Sequence, residues 1–198
     1  NEASLRAGGL GTLLLGGSGL PSVGTLEFVA LVKYKIPPAL ADVDAVHAAI
    51  TQTASTQTVT TAISNPDVPR TITITGNAAG NAGNVTITGT NFAGETITNI
   101  IALSGTSTVE GTKAFKTVTS IAIPVETHAG TDSLTIGFGA KVGFPIPIEN
   151  ASQVVAKTFD GAVDAGTVTA AATVESSLYA AAGTFNGVKV LELNYFSG

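Results

Sequence analysis

His47 and His128 are the only side chains here whose ordinary pKa lies near neutrality. Neither has the spacing of a metal ligand set or of a nucleophile with its base. His128 stands two residues after Glu126 and four before Asp132, a grouping that would suit a metal ion in a polar loop. A His and carboxylates in such a turn are far more often simply solvated, so both imidazoles are read as structural or solvent-exposed. Asp42 and Asp44 offer oxygen ligands for Ca²⁺, but the alternating ligands and closing Glu of an EF-hand loop are missing. Helix capping or surface charge is the preferred reading for them. Gly16-Gly-Ser-Gly19 has the look of a phosphate cradle, yet no Lys follows it and no strand-loop-helix frame surrounds it. Ser18 and Ser104 lie beside glycines without completing a Gly-x-Ser-x-Gly elbow. Carboxylate pairs for glycoside hydrolysis meet in space rather than in sequence. With no Trp and three Tyr, however, the chain lacks the usual stacking platforms for sugars. No catalytic, cofactor-binding or metal-binding residue is assigned, and the chain is read as non-enzymatic.

The composition narrows the classes further. At 198 residues the chain is long enough for one substantial core or two small ones. A hydrophobic fraction of 44% with 12% charged residues is unusually apolar, which suggests that neighbouring subunits of a homo-oligomer cover some apolar surface. Alanine, counted as hydrophobic, also inflates the figure. The formal charge of -5 and only nine Lys and Arg, scattered, oppose nucleic-acid binding. No apolar run approaches the roughly 20 residues of a membrane helix, Leu13-Leu-Leu15 being far too short. Without Cys there are no disulfides and no thiolate metal sites. No signal-peptide pattern is evident, and Asn1 is not a residue that ordinarily follows removal of an initiator Met, which points to a processed, trimmed or incompletely assigned start.

The elements available to position these residues are strands. Arg70-Thr-Ile-Thr-Ile-Thr-Gly76 puts Ile72 and Ile74 on one face and Thr71, Thr73 and Thr75 on the other, the two-residue period of a half-buried strand. Asn84 to Thr90 repeats the scheme with Val85 and Ile87 inward. Between them Gly76 to Asn84 is too small and flexible to pack a core and reads as a turn or exposed loop. Asn91-Phe-Ala-Gly94 closes a hairpin with Glu95 to Leu103. Residues 113 to 125 and 132 to 138 continue the meander, with Ile121, Ile123, Val125, Leu134, Ile136 and Phe138 inward. Leu26 to Ile36 is a strand stopped by Pro37-Pro38. Asp42 to Ile50 is ambiguous, since Asp42 could cap a short helix bearing Val43, Val46 and Ile50 at helical spacing. Thr51 to Ile63 is again alternating, and Asn65 to Pro69 is a rigid linker. After Gly139 the pattern is less regular. Pro145 and Pro147 confine Lys141 to Ile148 to an edge or a non-ladder segment, and Gln153 to Phe159, Gly166 to Val174 and Gly187 to Tyr195 are further strands, the last carrying Val188, Val190, Leu191 and Leu193.

These signals predict an all-β chain, an antiparallel β-sandwich of immunoglobulin-like or jelly-roll-like kind, over residues 25–198, with 69–139 as a candidate separable core. Residues 1–24 interleave Gly with Leu10, Leu13, Leu14, Leu15 and Leu20. Glycine raises the cost of ordering while the leucines still seek burial. An extended arm that contacts a partner through those leucines is favoured, the alternative being a disordered tail.

The central strands also resemble a known family. Thr71-Ile-Thr-Ile-Thr-Gly-Asn-Ala-Ala-Gly80, Gly83-Asn-Val-Thr-Ile-Thr-Gly-Thr-Asn91, Gly94-Glu-Thr-Ile-Thr98, Ile101-Ala-Leu-Ser-Gly-Thr106, Lys113-Ala-Phe-Lys-Thr-Val-Thr-Ser-Ile-Ala-Ile-Pro124 and His128-Ala-Gly-Thr-Asp132 occur in that order. In sequence they resemble β-rich structural proteins of tailed-bacteriophage virions. The resemblance implies a setting in the virion and no reaction. The expectation is a capsid decoration or cement protein on the capsid surface, bound to the major capsid protein or other virion proteins, without cofactor, nucleic acid or membrane. A tail or baseplate component is the alternative in the same class. Gly-Thr-Asn-Phe-Ala-Gly94 is similar to immunoglobulin-like repeats of surface proteins, which implies a third possibility, an adhesion module.

Overall fold

The computed structural model describes residues 30–128 and 130–197. Within them the chain is all-β and antiparallel, with one 3₁₀ turn, Ala151–Gln153, and no α-helix. The strands are β1 Leu31–Ile36, β2 Asp42–Thr51, β3 Gln57–Val59, β4 Arg70–Gly76, β5 Asn84–Thr90, β6 Thr96–Ala102 and β7 Val109–Phe115. They continue with β8 Thr117–Ile123, β9 Ser133–Gly143, β10 Val154–Phe159, β11 Ala162–Val163, β12 Thr167–Thr169, β13 Leu178–Ala180 and β14 Leu191–Phe196. Three sheets result. The order is β1-β14-β10-β11 in one, β12-β13-β9-β4-β7 in the second, where β2 also pairs with β9, and β3-β8-β5-β6 in the third.

Alternating residues of facing sheets make a sandwich-like core in two parts. The first gathers Val46 and Ile50 of β2, Ile72 and Ile74 of β4, Val85 and Ile87 of β5, Ile121 and Ile123 of β8, and Leu134, Ile136 and Phe138 of β9. The second gathers Val142 and Phe144, Phe159, Tyr179, Phe185, Leu191, Leu193 and Tyr195. One strand, β9, feeds both: its first half enters the first cluster and Val142, near its end, the second. The core strands around 69–139 therefore share their packing with β2, outside that span.

A bulge separates the two halves of β9. Arg70 is opposite Val142 but Ile72 is opposite Phe138, so β9 spends four residues where β4 spends two. The displaced backbone groups are recovered by side chains. Arg70 donates from Nε to the Gly139 carbonyl at 2.9 Å and from Nη2 to the same oxygen. Lys141 N–H donates to Glu110 Oε1 at 3.3 Å, and Thr71 Oγ1 lies 3.3 Å from the Lys141 carbonyl while also donating to Glu110. Buried polar backbone is thereby satisfied.

One open reading is settled and three expectations are corrected. Asp42 to Ile50 is a strand, not a helix, because Val46 and Ile50 find the first cluster through irregular pairing with β9 rather than through helical spacing. β4 is not half-buried: Thr71 and Thr73 are buried as well, since β4 lies inside its sheet between β7 and β9 and its threonine face is covered by Glu110, which accepts a hydrogen bond from the Thr71 hydroxyl and pairs with Lys141 at 3.1 Å. Val125 lies past the end of β8 and is exposed, as is Val188 before β14. The hairpin of β5 and β6 is present in full register from Asn84↔Ala102 to Thr90↔Thr96, but its connection takes Glu95 as a fifth residue, held by Asn91 Oδ1 accepting from Glu95 N–H at 3.0 Å.

Candidate functional site

The sequence singled out few chemical groups, and the structure brings two of them together. His128 Nδ1 lies 3.0 Å from Asp132 Oδ1. Asp132 is fully buried, and its Oδ2 accepts from Thr127 N–H at 2.7 Å, Thr127 Oγ1 at 2.8 Å and His128 N–H at 2.8 Å. Burial alone would raise its pKa; the hydrogen bonds from Thr127 and His128 outweigh it and pull the carboxyl down to about 2. Glu126 turns away and accepts from Gly130 N–H. The carboxylate oxygens of Asp132 are thus occupied by donors, which is the structure of a braced loop rather than of a cation cage. Thr127 Oγ1 also lies 3.0 Å from the Gly80 carbonyl, and Gln52 N–H donates to the Asp132 carbonyl at 2.8 Å.

The other candidates stay apart. His47 Nδ1 lies 2.8 Å from the Ala48 carbonyl. Asp42 Oδ1 accepts from Asp44 N–H at 3.2 Å, and the nearby Asp42 carboxyl raises the pKa of Asp44 through hydrogen bonding and charge repulsion. Both sit on β2, where they cap no helix. Ser104 forms a two-residue turn with Ser107. Among the described residues no group of three or more His, Cys, Asp or Glu side chains is placed to hold a metal ion. Ser18, the Gly16–Gly19 stretch and the leucines Leu10, Leu13, Leu14, Leu15 and Leu20 lie outside the described residues.

What sequence reasoning missed is a surface. In β1 the odd residues face solvent and the even ones face the core. Ser197 N–H donates to the Ala30 carbonyl at 2.9 Å, which makes Ala30 and Ser197 a hydrogen-bonded pair. By alternation Val32, Tyr34 and Ile36 bond to β14, while the N–H and C=O groups of Leu31, Lys33 and Lys35 point to the far side of the strand. Among the described residues nothing bonds to that side. Two other edge segments differ. Along β7, Asn99 Oδ1 accepts from Thr112 and Lys113 N–H, and the Glu175 carbonyl accepts from Ala114 N–H. At the start of β8, Asn65 Oδ1 accepts from Val118 N–H. Those edges are sealed by side chains and loops, as natural sheets commonly do.

Beside the open edge runs an apolar row. Leu31 is opposite Phe196 across β1 and β14, and Val155 occupies the bulge on β10 next to the Tyr195 and Asn194 rungs of β14. Their exposures of 61%, 39% and 52% mark an uncovered hydrophobic strip spanning three strands. One end of the same outer face is polar, with Lys33 bound to Glu192 at 2.9 Å. The pairing holds the Glu192 carboxyl below its usual range. The alternation of Leu31, Lys33 and Lys35 was the available signal for this face, but three strands distant in sequence had to be aligned before the strip existed. No family model, curated protein or solved structure matches the chain. The surface must therefore be interpreted on its own chemistry.

Proposed function

We propose that this chain is a non-enzymatic structural protein of a tailed-bacteriophage virion, one that decorates or cements the capsid by binding the major capsid lattice. The observation that carries the reading is the β1 edge, to whose outer side no described residue bonds, with its apolar row Leu31, Phe196 and Val155. Such a face supplies adhesion through main-chain pairing and apolar burial, worth about 25 cal/mol per Å² of apolar area, and needs no reactive group. Support for the virion setting comes from the sequence resemblance across Thr71 to Asp132, whose residues form β4 to β8 and the loop after it. Leu10, Leu13, Leu14, Leu15 and Leu20, in a Gly-rich stretch, are of the chemistry of a second adhesive element.

The reading is tested by dissociating purified virions, separating heads from tails and quantifying the chain in each by mass spectrometry. High copy number with heads supports decoration. Low copy number with tails replaces it by a tail component, and absence from both removes the virion setting.

A further inference from the structure

A reactive dipeptide lies on the approach to β14, and the contacts of the fold hold it shut. Asn186 precedes Gly187, the one Asn-Gly step among ten asparagines. In such a step the glycine nitrogen, deprotonated by solvent base, attacks the side-chain amide carbon of the residue before it, and glycine lacks the Cβ that would crowd the approach. Both residues are exposed. The backbone N–H of Gly187, however, donates to the Pro38 carbonyl at 2.8 Å, and Asn186 Oδ1 accepts from Val188 N–H at 3.0 Å and from Lys189 N–H at 2.8 Å. The receiving segment is itself fixed. Ala39 N–H donates to Asp67 Oδ2 at 2.6 Å, and the Ala39 carbonyl accepts from the buried Arg70 guanidinium at 2.9 Å. On either side of the step, Phe185 and Leu191 are buried in the second cluster.

We propose that Asn186 is a self-modification site gated by the Gly187–Pro38 hydrogen bond, converting to aspartate and isoaspartate only when that contact opens. Loss of the Gly187 amide proton to hydroxide is the event that hydrogen exchange also reads, and a bonded N–H undergoes it only from an opened state. Once free, the nitrogen bonds to Asn186 Cγ, the Cγ–Nδ2 bond breaks, and Nδ2 takes up a proton from water and leaves as ammonia. A cyclic succinimide remains. Water then opens the ring at either carbonyl: attack at Cγ gives aspartate, and attack at the α carbonyl gives isoaspartate, whose chain runs through Cβ and Cγ. The net change is Asn plus water to aspartate or isoaspartate plus ammonia. The two products differ in effect. Aspartate keeps oxygens that accept from Val188 and Lys189 N–H, in bonds that are now charge-assisted. Isoaspartate lengthens the backbone by a methylene between Phe185 and Leu191, both buried, so the Gly187–Pro38 contact does not re-form. A chain that has opened once beyond the end of β1 is thereby marked, and in the isoaspartate form it stays open there. This site is independent of the β1 edge and of the virion setting.

The test incubates the purified full chain at mildly alkaline pH, folded and in urea, and follows the peptide bearing Asn186 by mass spectrometry for the gain that exchange of NH₂ for OH brings. Aspartate and isoaspartate are separated by chromatography against synthetic peptides, and hydrogen exchange at Gly187 is measured on the folded chain. In urea Asn186 is expected to convert ahead of the nine other asparagines. In the folded chain it should convert at least about tenfold more slowly, by the same factor that protects the Gly187 N–H from exchange. Asn186→Asp, which carries the aspartate product, is expected to retain that protection, whereas the isoaspartate fraction loses it. Equal rates in the folded and unfolded chain overturn the proposal, as does another asparagine converting first in urea. A slowing that departs from the exchange protection by more than about tenfold places the gate elsewhere than the Gly187–Pro38 bond and also overturns it. Protection retained in the isoaspartate fraction removes the claim that this product holds the contact open.

Discussion

Replacing Arg70 by Met keeps an unbranched apolar stem but removes every donor that holds the Gly139 carbonyl inside the β9 bulge. The guanidinium is fully buried, stacked 4.4 Å from the centroid of Phe138 in the first cluster and 5.8 Å from that of Phe185 in the second. It also donates to the Ala39 carbonyl and to Asp67. Burial lowers its pKa while Asp67 and Glu110 oppose that shift, so the charge is retained among partners. Arg70→Met is expected to cost about 2–4 kcal/mol by urea unfolding. Arg70→Lys should fall between, since one ammonium cannot reach Gly139 and Ala39 together. A loss below about 0.5 kcal/mol for Arg70→Met would show that the bulge does not depend on the fork. Asp132 gives a pH prediction. Its folded pKa of about 2 lies below the ordinary carboxylate value, so on acidification the unfolded chain takes up the proton first. The stabilisation it confers is present above about pH 4 and lost as the pH falls towards 2. Asp132→Asn should therefore be less stable than the parent at neutral pH, with the gap closing over that window. A gap that is constant from pH 7 to pH 2 would remove the carboxylate from the account. Neither residue was legible beforehand in this role: Arg70 reads as the polar start of a strand, and only the register of β4 against β9 shows it inside.

At the scale of elements, β2 depends on a glycine in its neighbour. A Cβ on Gly137 would fall 1.9 Å from the Asp42 carbonyl oxygen and 2.5 Å from the Val43 Cα, both backbone atoms that no rotamer change can clear. Gly137→Ala should force β2 away from β9 and open the first cluster around Val46, with a loss of about 3 kcal/mol or more. Gly94 makes a useful control. It sits at a φ of +84° in the β5–β6 connection with nothing within 4 Å of the added carbon, so Gly94→Ala should cost only the backbone strain of about 1–2 kcal/mol. Equal losses at the two positions, measured by urea unfolding, would show that crowding by β2 is not what Gly137 relieves. The comparison explains what the sequence could disclose. Strands with strict alternation, such as Val85 and Ile87 or Leu134 and Ile136, were legible because one inward face repeats every two residues. β2 was not, because its pairing skips from Asp42↔Phe138 to His47↔Ile136 and irregular pairing leaves no period to read. The threonine face of β4 was misread for a related reason: alternation reports which side is apolar, whereas burial of the polar side is decided by Glu110 and Lys141, forty and seventy residues away in broad terms. The open edge of β1 needed the partner order β1-β14-β10, which no local pattern contains.

For the molecule as a whole the question is whether two clusters make two folding units. The argument for one rests on continuity. β9 runs unbroken from Ser133 to Gly143 through both, and the Arg70 guanidinium lies between an aromatic ring of each. Opening the second cluster would strip Arg70 of Phe185 and expose the end of β9, and opening the first would free the other end of the same strand. Each therefore raises the cost of losing the other, which is the condition for a single cooperative transition. The chain's own chromophores can test this. It has three tyrosines and no Trp; Tyr179 and Tyr195 belong to the second cluster and Tyr34 packs against it. All three rings thus lie in or against that cluster, so a change in tyrosine absorbance on unfolding reports it. Far-ultraviolet circular dichroism reports the strands of both. Urea titrations followed by the two signals are expected to coincide in midpoint and slope. A tyrosine transition that precedes the dichroism change would mean that the β1-β14-β10-β11 sheet unfolds first, leaving the Thr-rich strands of the first cluster standing as an independent unit. Coincidence would place the adhesive face and the core strands in one body, so that force applied at the β1 edge is borne by the whole fold.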